Sequence, residues 1–598
     1  MAENDRDRWY RLPKLSLDKR SLSKRMRKVE TATVRHANRF IIKRWKNARE
    51  SSRHIIGWII GVGLLIAAAG LQLMWYQQSY RTDIPAVDGT YAEAVLGPLN
   101  TLNPIFASSS AERSAGYLMF SRLLNYDDTG HLSNDLATSI TTNKDNTVYT
   151  VEIRPDVKWN DGILLSAKDV AFTVNLMKNP AVRSTITGWN EVGVKVVDDT
   201  TLQFTLKTPY AAFKHVLTFP VLPEHILGDV PPVNIRENSF SQNPVGSGPF
   251  KLRFTQDVET STDRKVVHLA RNDQYYNGVP KLARFQLHVY AQPEAILRAL
   301  KLSEVNAATD LTSIDVADIN KARYDVVTTP VQKGVYALLN VKSDNLKDVN
   351  IRRALRLATN TEAIREKLPV EMPALDLPFT NGQLTGDVPT APGYNKASAE
   401  KILSDDGWKK DSTGVLSKDG KQLKLSVVAT KDNELERVLE IISGQWRELG
   451  IDVESKVIDL SDTTQNVAQD VLQQRNYDVL LSQLNIGADP DVYAYWHSSQ
   501  ATPQGSNLSN YSNVISDDAL LTARARSDVA LRNAKYITFA KQWLNDIPAI
   551  GLYQSTTQYV HSKSIKAYDD TAVLVSPIDR YSNVVDWSVG SQPAYKTP

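Results

Sequence analysis

The sequence predicts a mixed α/β protein in which one transmembrane helix precedes a large external domain. Three observations support this fold class. The run Ile55–Tyr80 carries no charge, apolar residues beyond it recur alternately at strand and at helix spacing, and the 598 residues contain no cysteine. The alternation of strands and helices predicts open sheets with helices on their faces. Without disulfides, such a domain depends on a large hydrophobic core, which a chain of this length can bury.

The uncharged run predicts a retained membrane anchor. Its apolar centre, Ile55–Trp75, matches the ~20 residues that span a hydrocarbon core of ~30 Å. A cleavable signal peptide has an apolar core of about 7–15 residues and a small-x-small cleavage site. This core is longer, and Tyr76–Tyr80 offers no such site. The expected order of segments is a basic tail at 1–54, a transmembrane helix at 55–76, a linker at 77–87 and the large external domain at 88–598.

Charge predicts the orientation of this helix. Met1–His54 contains 17 Lys and Arg residues against 6 Asp and Glu, a net charge of +11. The chain beyond His54 contains 53 basic and 61 acidic residues, a net charge of −8. Basic flanks of transmembrane helices stay in the cytoplasm. We therefore expect a single-pass protein of the plasma membrane, with a cytoplasmic N-terminus and an extracellular domain.

The basic tail has three interpretations. From Leu22 to Ala48, apolar residues recur at near-helical spacing and Lys and Arg fill the gaps. This pattern is typical of an amphipathic helix on anionic inner-leaflet lipid. An unstructured tail that only sets the topology explains the same charge. Basic runs also occur in nucleic-acid patches, but the tail contains no defined DNA-binding motif, and we expect no nucleic-acid partner.

Beyond the anchor, individual elements can be placed. Alternating apolar residues predict strands at Thr90–Val95, Thr147–Arg154, Thr201–Leu206, Val335–Val341, Leu423–Ala429 and Ile451–Val457. Periodicity and capping residues predict helices at Ser114–Leu124, from Ser166 through Met177, from Asp348 through Ala358, from Thr361, at Ser398–Asp405 and at Leu435–Leu449. Gly450 is expected to end the last of these helices in the left-handed conformation.

The sequence contains no catalytic or metal-binding signature. There is no G-x-S-x-G, H-E-x-x-H or P-loop motif, and Gly246-Ser247-Gly248 is followed by a proline that cannot donate an amide to a phosphate. No two of the nine histidines are three or four residues apart. Asp489 and Asp491 flank Pro490, which is more typical of a polar loop than of paired catalytic carboxylates. We therefore expect no catalytic residues, metal site or cofactor.

Several segments, in order, resemble one family. The segments are Leu102-Asn103-Pro104, Tyr149–Arg154 with Val157–Gly162, Ser166–Val170, Val245–Lys251, Asn340 with Asp348–Leu355, Ala399–Trp408, Gln445–Ile451, Tyr477–Leu480, Asp489-Pro490-Asp491 and Asp546–Tyr553. Together they resemble the extracytoplasmic solute-binding proteins of peptide-type ABC transporters, the oligopeptide, dipeptide and nickel group. The order and spacing of the segments across residues 90–555 carry the resemblance.

The resemblance implies a two-lobed periplasmic-binding-protein-like fold with an extra subdomain. Lobe I is expected near 88–288 and 546–598, with subdomain Ib near 107–207, and lobe II near 289–545. It also implies a monomer whose lobes close on a peptide or related solute and then dock on the permease subunits of an ABC importer. No bond is broken, so no enzymatic activity is expected. The helix would replace the lipid-modified cysteine that usually anchors such proteins.

One position departs from the family. In peptide-binding relatives, an aspartate four residues before the proline of the Asp-Pro turn pairs with the α-ammonium of the ligand, and here that position is Ile486. Burying an unpaired ammonium costs several kcal/mol. We therefore expect a ligand without a fixed free amine: a longer or modified peptide, or a non-peptide solute such as an oligosaccharide. Asp489 is an alternative partner for an amine.

The resemblance also places candidate ligand-binding residues. Those expected in the cleft are Tyr117, Phe120, Trp189, Gln483, Leu484, Asn485, Ile486, Gly487, Asp489, Tyr493 and Trp496. Core packing is the competing interpretation for Tyr117, Phe120, Tyr493 and Trp496, and surface packing is the competing interpretation for Trp189. Three functions remain open: a binding protein of an importer, a receptor that uses the same domain to sense a ligand, and an anchored hydrolase. Nickel or haem import is a special case of the first, which the scattered histidines do not support.

Overall fold

The structure, a computed structural model, describes residues 48–259, 264–459, 466, 468–568 and 571–595. Most of the predicted basic tail, residues 1–47, lies outside the described residues. The chain divides into two compact units. One contains the N-terminal segment through Ala86 together with residues from Ser591 onward, and the other is Val87–Gly590.

Strands and helices alternate along the chain, as the sequence predicted. The strands are β1 (Arg81–Pro85), β2 (Thr90–Leu96), β3 (Leu124–Tyr126), β4 (Leu132–Asn134), β5 (Ala137–Thr142), β6 (Val148–Ile153), β7 (Gly193–Val196), β8 (Thr201–Thr205), β9 (Phe250–Glu259), β10 (Arg264–Arg271), β11 (Arg284–Tyr290), β12 (Ala307–Leu311), β13 (Tyr324–Leu339), β14 (Lys409–Lys410), β15 (Leu416–Lys418), β16 (Lys421–Gln422), β17 (Lys424–Thr430), β18 (Asp452–Ile458), β19 (Val479–Asn485), β20 (Ala549–Ser562), β21 (Ile565–Lys566), β22 (Ser588–Val589) and β23 (Ser591–Tyr595).

The α-helices are α1 (Ala48–Tyr80), α2 (Ser110–Met119), α3 (Ala167–Lys178), α4 (Glu224–Leu227), α5 (Pro293–Leu302), α6 (Val349–Ala358), α7 (Thr361–Glu366), α8 (Lys396–Asp405), α9 (Asn433–Leu449), α10 (Tyr493–Trp496), α11 (Val514–Ala525) and α12 (Val529–Asp546). Short 3₁₀ helices include Ala211–Thr218 and Pro577–Asp586, and a π-helical turn lies at Ala468–Gln473.

The first unit is built on α1. Its segment Ile56–Trp75 has a mean hydropathy of 2.0, and none of this segment is buried inside the protein. By length and composition this helix can cross a membrane, as the uncharged run predicted. Strand β1 follows directly and pairs antiparallel with β23, Arg81 lying opposite Tyr595. The predicted linker at 77–87 therefore contains the last turn of α1 and a paired strand.

One ten-stranded mixed sheet forms the centre of the second unit, in the order β18-β17-β19-β13-β20-β12-β2-β11-β10-β9. Its two longest strands, β13 and β20, pair antiparallel in the middle. Strand β19 continues the sheet from the C-terminal half of β13, and β12 continues it from the C-terminal half of β20. The β13–β20 register shifts between Pro330 and Gly334, where both strands pass from one half of the sheet to the other. Such bulges bend a strand.

Apolar clusters cover both faces of this sheet. Because successive side chains of a strand point to opposite faces, Val335, Ala337 and Leu339 enter one cluster while Tyr336 and Leu338 enter another. Helix α9 covers the first face and α12 the second, through residues such as Ile442 and Phe539 that are fully buried. A sheet covered on both faces explains the near-continuous apolar runs of its central strands.

Local sequence signals set many helix ends correctly. Ser166 and Asp169 form the predicted capping box of α3, with the Ser166 amide donating to the Asp169 carboxylate at 2.8 Å. Asp348 accepts a hydrogen bond from the Asn350 amide and caps α6, which ends at Ala358 as predicted. Gly450 ends α9 with a φ of +105°, the left-handed conformation that favours glycine.

Three predicted helix ends were wrong. The helix expected at Ser114–Leu124 is α2, which begins at Ser110 because Ser109 and Glu112 form a capping box that the apolar periodicity does not reveal. It ends at Met119, and Leu124 begins a strand. Thr361 is the first residue of α7 rather than its cap, since the side chain of Asn360 accepts the hydrogen bond from the Ala363 amide.

The glycines of Gly246-Ser247-Gly248 are required by a close approach to the end of α2. The Gly248 amide donates to the Met119 carbonyl at 2.8 Å. A Cβ atom on Gly246 would lie 1.9 Å from the same carbonyl oxygen, far inside van der Waals contact. This loop therefore holds the C-terminal end of α2 in place, and with it the segment that follows.

Candidate functional site

A cavity of about 740 Å³ lies beside the C-terminal half of α2. Its walls come from distant parts of the chain and include Tyr117, Arg122, Trp189, Asn485 and Asp579. Pockets for small ligands and cofactors commonly have volumes of roughly 300–1,000 Å³. This cavity therefore has the size of a ligand site.

A smaller cavity of about 250 Å³ adjoins it. The two share Tyr117, Arg122, Asn125 and Tyr126, so these four residues mark the boundary between them. Phe120 lines the smaller cavity, where its ring also packs against Phe240 with centroids 6.1 Å apart. It is almost fully buried, which makes it a wall residue with little surface to offer a ligand.

Tyr117 lies on the last full turn of α2, which the loop at Gly246–Gly248 holds. Its side chain is buried, and its hydroxyl has no hydrogen-bond partner among the described residues. The guanidinium of Arg122 stacks over its ring, 4.0 Å from the centroid. Burial raises the pKa of Tyr117, so the hydroxyl stays protonated and able to donate at neutral pH.

Trp189 borders the larger cavity from a cluster of aromatic side chains. Its ring packs edge-on against Phe219 with centroids 4.9 Å apart, and Phe204 lies 6.0 Å away. The side chain is 3 % exposed. Trp189 therefore belongs to the core and borders the cavity, so the surface packing considered for this residue was wrong.

The candidate residues in β19 and just after it alternate between the two faces of the sheet, as successive strand residues do. Leu484 and Ile486 are buried in the cluster that contains Trp496, while Gln483 and Asn485 are exposed on the other side. Asn485 lines the larger cavity, and Gln483 donates to the Ser555 hydroxyl at 2.9 Å. The amides of Ile486 and Gly487 both donate to the Gln332 carbonyl at the bulge of β13.

Asp489 is held by an arginine. Arg532 donates to both of its carboxylate oxygens, at 2.7 and 2.9 Å. His215 approaches the same carboxylate to 3.9 Å. Burial lowers the pKa of His215, and the Asp489 carboxylate only partly offsets this. Both oxygens of Asp489 are therefore occupied within the protein.

Tyr493 and Trp496 lie on α10, away from both cavities. The ring of Tyr493 stacks on His497 at 4.1 Å and lies under the Arg524 guanidinium at 4.7 Å. Trp496 is fully buried between Tyr336 and Trp543, as the core interpretation predicted. The structure thus brings Tyr117, Trp189 and Asn485 to the larger cavity and Phe120 to the smaller one. The other seven candidates, Gln483, Leu484, Ile486, Gly487, Asp489, Tyr493 and Trp496, border neither.

Three residues of these cavities escaped sequence reasoning. Arg122 follows α2 in an apolar stretch, and Tyr126 donates to or accepts from Nδ1 of His215 at 2.9 Å. Asp579 reaches the cavity from the 3₁₀ helix Pro577–Asp586 near the C-terminus. Burial raises the pKa of the Asp579 carboxyl to about 6. No spacing in the sequence links Asp579 to Arg122 and Tyr126, because it lies more than 450 positions later in the chain.

Within the described residues, no group of three or more His, Asp or Glu side chains is placed to hold a metal ion. The polar groups at the larger cavity are instead hydroxyls, amides, two arginines and Asp579. Such groups can hydrogen-bond a polar ligand and orient it.

Most of this chain is similar in sequence to known bacterial proteins. Residues 131–506 match the family described as bacterial extracellular solute-binding proteins, family 5, middle. The oligopeptide-binding protein AppA of Bacillus subtilis is 25 % identical over 501 residues, which cover 81 % of this chain and 89 % of AppA.

Solved structures show the same fold. AppA from Bacillus subtilis in complex with a nonapeptide has a TM-score of 0.68 at 24 % identity, covering 85 % of this chain and 100 % of that one. NikZ from Campylobacter jejuni in complex with Ni(L-His) has a TM-score of 0.69 at 26 % identity, covering 83 % and 99 %. These structures confirm the two-lobed fold, and the family match spans more than half of the chain. The protein belongs to the bacterial extracellular solute-binding proteins of family 5.

Proposed function

We propose that this protein is the membrane-anchored substrate-binding protein of an ABC importer, and that it captures peptides by lobe closure and delivers them to a permease. One observation carries the proposal: the cavity of about 740 Å³ is bordered by Tyr117 and Trp189, which the sequence assigns to lobe I, and by Asn485 of β19, which it assigns to lobe II. A site divided between two bodies is what hinge closure requires.

We assign the lobes as the sequence predicted, with lobe I near 88–288 and 546–598 and lobe II near 289–545. The long strands β13 and β20 would then form the hinge, since both pass from one half of the sheet to the other at the Pro330–Gly334 bulge. The hydrogen bonds from Ile486 and Gly487 to Gln332 tie the cavity-lining strand β19 to this bulge. Motion at the bulge would therefore move Asn485.

A peptide is the proposed ligand class. AppA is named as oligopeptide-binding and was solved with a nonapeptide. In this chain, Thr185, Thr187 and Asn125 supply uncharged hydrogen-bonding groups at the cavity wall. Such groups can bind a peptide backbone whatever its side chains are. We infer a single monomeric binding unit.

The ligand is proposed to have no fixed free amine. Ile486, at the position of the family aspartate, is buried among apolar side chains and carries no charge. Asp489, the alternative partner, has both oxygens occupied by Arg532. Neither side chain borders either of the two cavities. A longer peptide threaded through the site, or one with a modified amino terminus, fits this arrangement.

The proposal includes the membrane anchor and its orientation. Helix α1 can cross a membrane, and the +11 charge of Met1–His54 favours a cytoplasmic N-terminus. The basic tail would add attraction to anionic inner-leaflet lipid. A tether also keeps the binding domain at a high local concentration near its permease.

The test is mass spectrometry of full-length protein purified in detergent, under native and then denaturing conditions. A ladder of peptides of mixed sequence released on denaturation supports a peptide importer. Release of a single sugar or other solute would replace the substrate class. An empty protein that binds no added peptide would contradict the proposal and favour a sensor.

A matched pair of variants locates the ligand. Thr187 is exposed and lines the larger cavity, whereas Asn190, three residues later in the same loop, is exposed and lines neither cavity. We expect Thr187→Trp to lose the co-purifying peptides because the indole fills the cavity. Asn190→Trp should retain them. Equal retention by both variants would move the binding site elsewhere.

A further inference from the structure

The boundary between the two cavities holds a buried cation without a partner. Arg122 is 9 % exposed and lines both cavities. Among the described residues, its guanidinium makes neither a hydrogen bond nor an ion pair, and its backbone amide alone donates, to Asp135 at 3.0 Å. Its position over the Tyr117 ring fixes the direction of the side chain without satisfying its donors.

The other buried guanidinium groups in the part of the chain that the structure describes have partners. Arg580 donates to Glu93 at 2.6 Å, and Arg532 holds Asp489 through two hydrogen bonds. Arg352 donates to the carbonyls of Leu346 and Asp546. Against this background the free donors of Arg122 stand out. An unpaired charge in a buried position is unfavourable, and a ligand group that pairs with it removes this penalty.

The carboxylates nearest to Arg122 are engaged by other donors. Asp135 accepts hydrogen bonds from the side chains of Asn125 and Tyr276, in addition to the Arg122 amide. Asp579 accepts from the amide and the hydroxyl of Ser576, at 2.7 and 2.9 Å. Both lie close enough to be influenced by the charge of Arg122, yet neither forms an ion pair with it.

A second unsatisfied donor lies beside the first. The hydroxyl of Tyr117 is buried without a partner, on the residue whose ring carries the Arg122 guanidinium. A guanidinium presents five N–H donors in a planar fork that matches the two oxygens of a carboxylate. The adjacent hydroxyl adds one more donor. The chemistry of this pair selects an anionic, planar acceptor.

We propose that Arg122 and Tyr117 form a subsite that binds a carboxylate of the ligand at the boundary of the two cavities. This assignment rests on the proposed function and adds to it a chemical class: peptides bound in this orientation carry a free carboxylate at a defined place. The carboxylate comes either from the peptide C-terminus or from an acidic side chain, and the experiment below distinguishes these sources.

The experiment uses full-length protein in detergent and three random hexapeptide libraries built from uncharged residues. The first library has a free C-terminal carboxylate and the second is the same library as C-terminal amides. The third is amidated and contains one glutamate at a random position. After removal of the co-purifying ligand, affinities are measured by competition, and bound peptides are identified by mass spectrometry.

We expect the free-acid library to bind at least tenfold more tightly than the amide library if the C-terminus supplies the carboxylate. Recovery of tight binding by the glutamate library assigns the carboxylate to a side chain. Equal affinity of all three libraries overturns the subsite while leaving the peptide function standing. Failure of all three to bind overturns the peptide function, and the peptide subsite with it.

Variants then assign the effect to Arg122. Arg122→Gln should abolish the preference for the carboxylate, and Arg122→Lys should retain part of it, because lysine keeps the charge and loses the fork. Arg154→Gln is the control, since Arg154 also lies over a tyrosine ring, that of Tyr276, but outside both cavities. A carboxylate preference that survives in Arg122→Gln would contradict the assignment. If that variant fails to fold, the comparison of libraries on unaltered protein still tests the subsite.

Discussion

Asp489 accepts two hydrogen bonds from the guanidinium of Arg532, at 2.7 and 2.9 Å, and both side chains are nearly buried, 11 % and 13 % exposed. This pair joins the loop after β19 to α12. The sequence offered this carboxylate as an alternative partner for a ligand amine, but each of its oxygens already accepts a hydrogen bond from Arg532. Two predictions follow from it, one on stability and one on binding.

Asp489→Ala should lower the free energy of unfolding by about 3 kcal/mol, because it leaves the buried guanidinium of Arg532 unpaired. Chemical denaturation of the variant measures this loss. Asp518→Ala is the matched control, since it breaks the ion pair with Lys535 on an exposed surface. Surface pairs contribute about 0–1 kcal/mol. Similar losses in both variants would contradict the structural role of Asp489.

Acetylating the amino terminus of a bound peptide should change its affinity by less than about threefold. A single lost ion pair to a fixed ammonium would cost far more, several kcal/mol, but Ile486 provides no charge and Asp489 is occupied. Competition between acetylated and free forms of a co-purifying peptide gives the ratio. A large loss on acetylation that Asp489→Ala also produces would show that Asp489 binds the amine.

His288 should make the fold sensitive to acid. Burial, the charge of Arg264 and that of His268 lower the pKa of His288 to about 4, against about 6.5 for an unperturbed histidine. The fold therefore favours the neutral ring. The stability from this residue is complete above pH 6.5 and is lost as the pH falls towards 4.

His288→Gln removes this titration. We expect the variant to lose less unfolding free energy than the unaltered protein between pH 7 and pH 4, by on the order of 2 kcal/mol. Urea denaturation at a series of pH values measures the difference. Parallel pH profiles for the two proteins would contradict it.

Gly246→Ala should prevent the loop from closing on α2, because its Cβ atom would lie 1.9 Å from the Met119 carbonyl oxygen. A loss of more than about 3 kcal/mol, or failure to fold, is expected, as for other severe steric conflicts. Gly444→Ala is the control: it lies inside α9 with open space around it, and alanine there should add about 1 kcal/mol of helix stability. Thermal unfolding of both variants measures the expected loss of stability in Gly246→Ala and the expected gain in Gly444→Ala.

The chain without cysteine permits a direct test of topology. A cysteine at Ser506, which is exposed in the second unit, should react with a membrane-impermeant maleimide on intact cells. A cysteine at Ser16 should react only after the membrane is permeabilised, because the basic tail is expected inside. Labelling of Ser16→Cys on intact cells would reverse the orientation.

The sequence predicted what depends on neighbouring residues. Asp348 and Gly450 mark the ends of α6 and α9 because a cap acts within a few positions of the chain. The family resemblance, spread over many segments, identified the fold. Of the candidate site residues, Tyr117, Trp189 and Asn485 border the larger cavity, and their role in binding a ligand stays a prediction.

The missed features depend on tertiary contacts. No residue near Asp489 in the sequence indicates that it pairs with Arg532, which lies 43 positions later. Asp579 reaches the cavity of Tyr117 only because the 3₁₀ helix Pro577–Asp586, near the end of the chain, packs against α2. Arg122 is an ordinary surface residue by composition, and its significance comes from burial without a partner, which a sequence alone does not display.

The pairing of β13 with β20 has a consequence for how the protein folds. Thr328 and Gln558 face each other across 230 positions of the chain, so the pairing of β13 with β20 closes a long loop. Contacts of such high sequence separation slow folding. Until β20 is available, β12 and β13 each present an open edge, and open edges favour aggregation. A chain interrupted before Ala549 would therefore have nearly all of its helices and still lack the strand that joins the two halves of its central sheet.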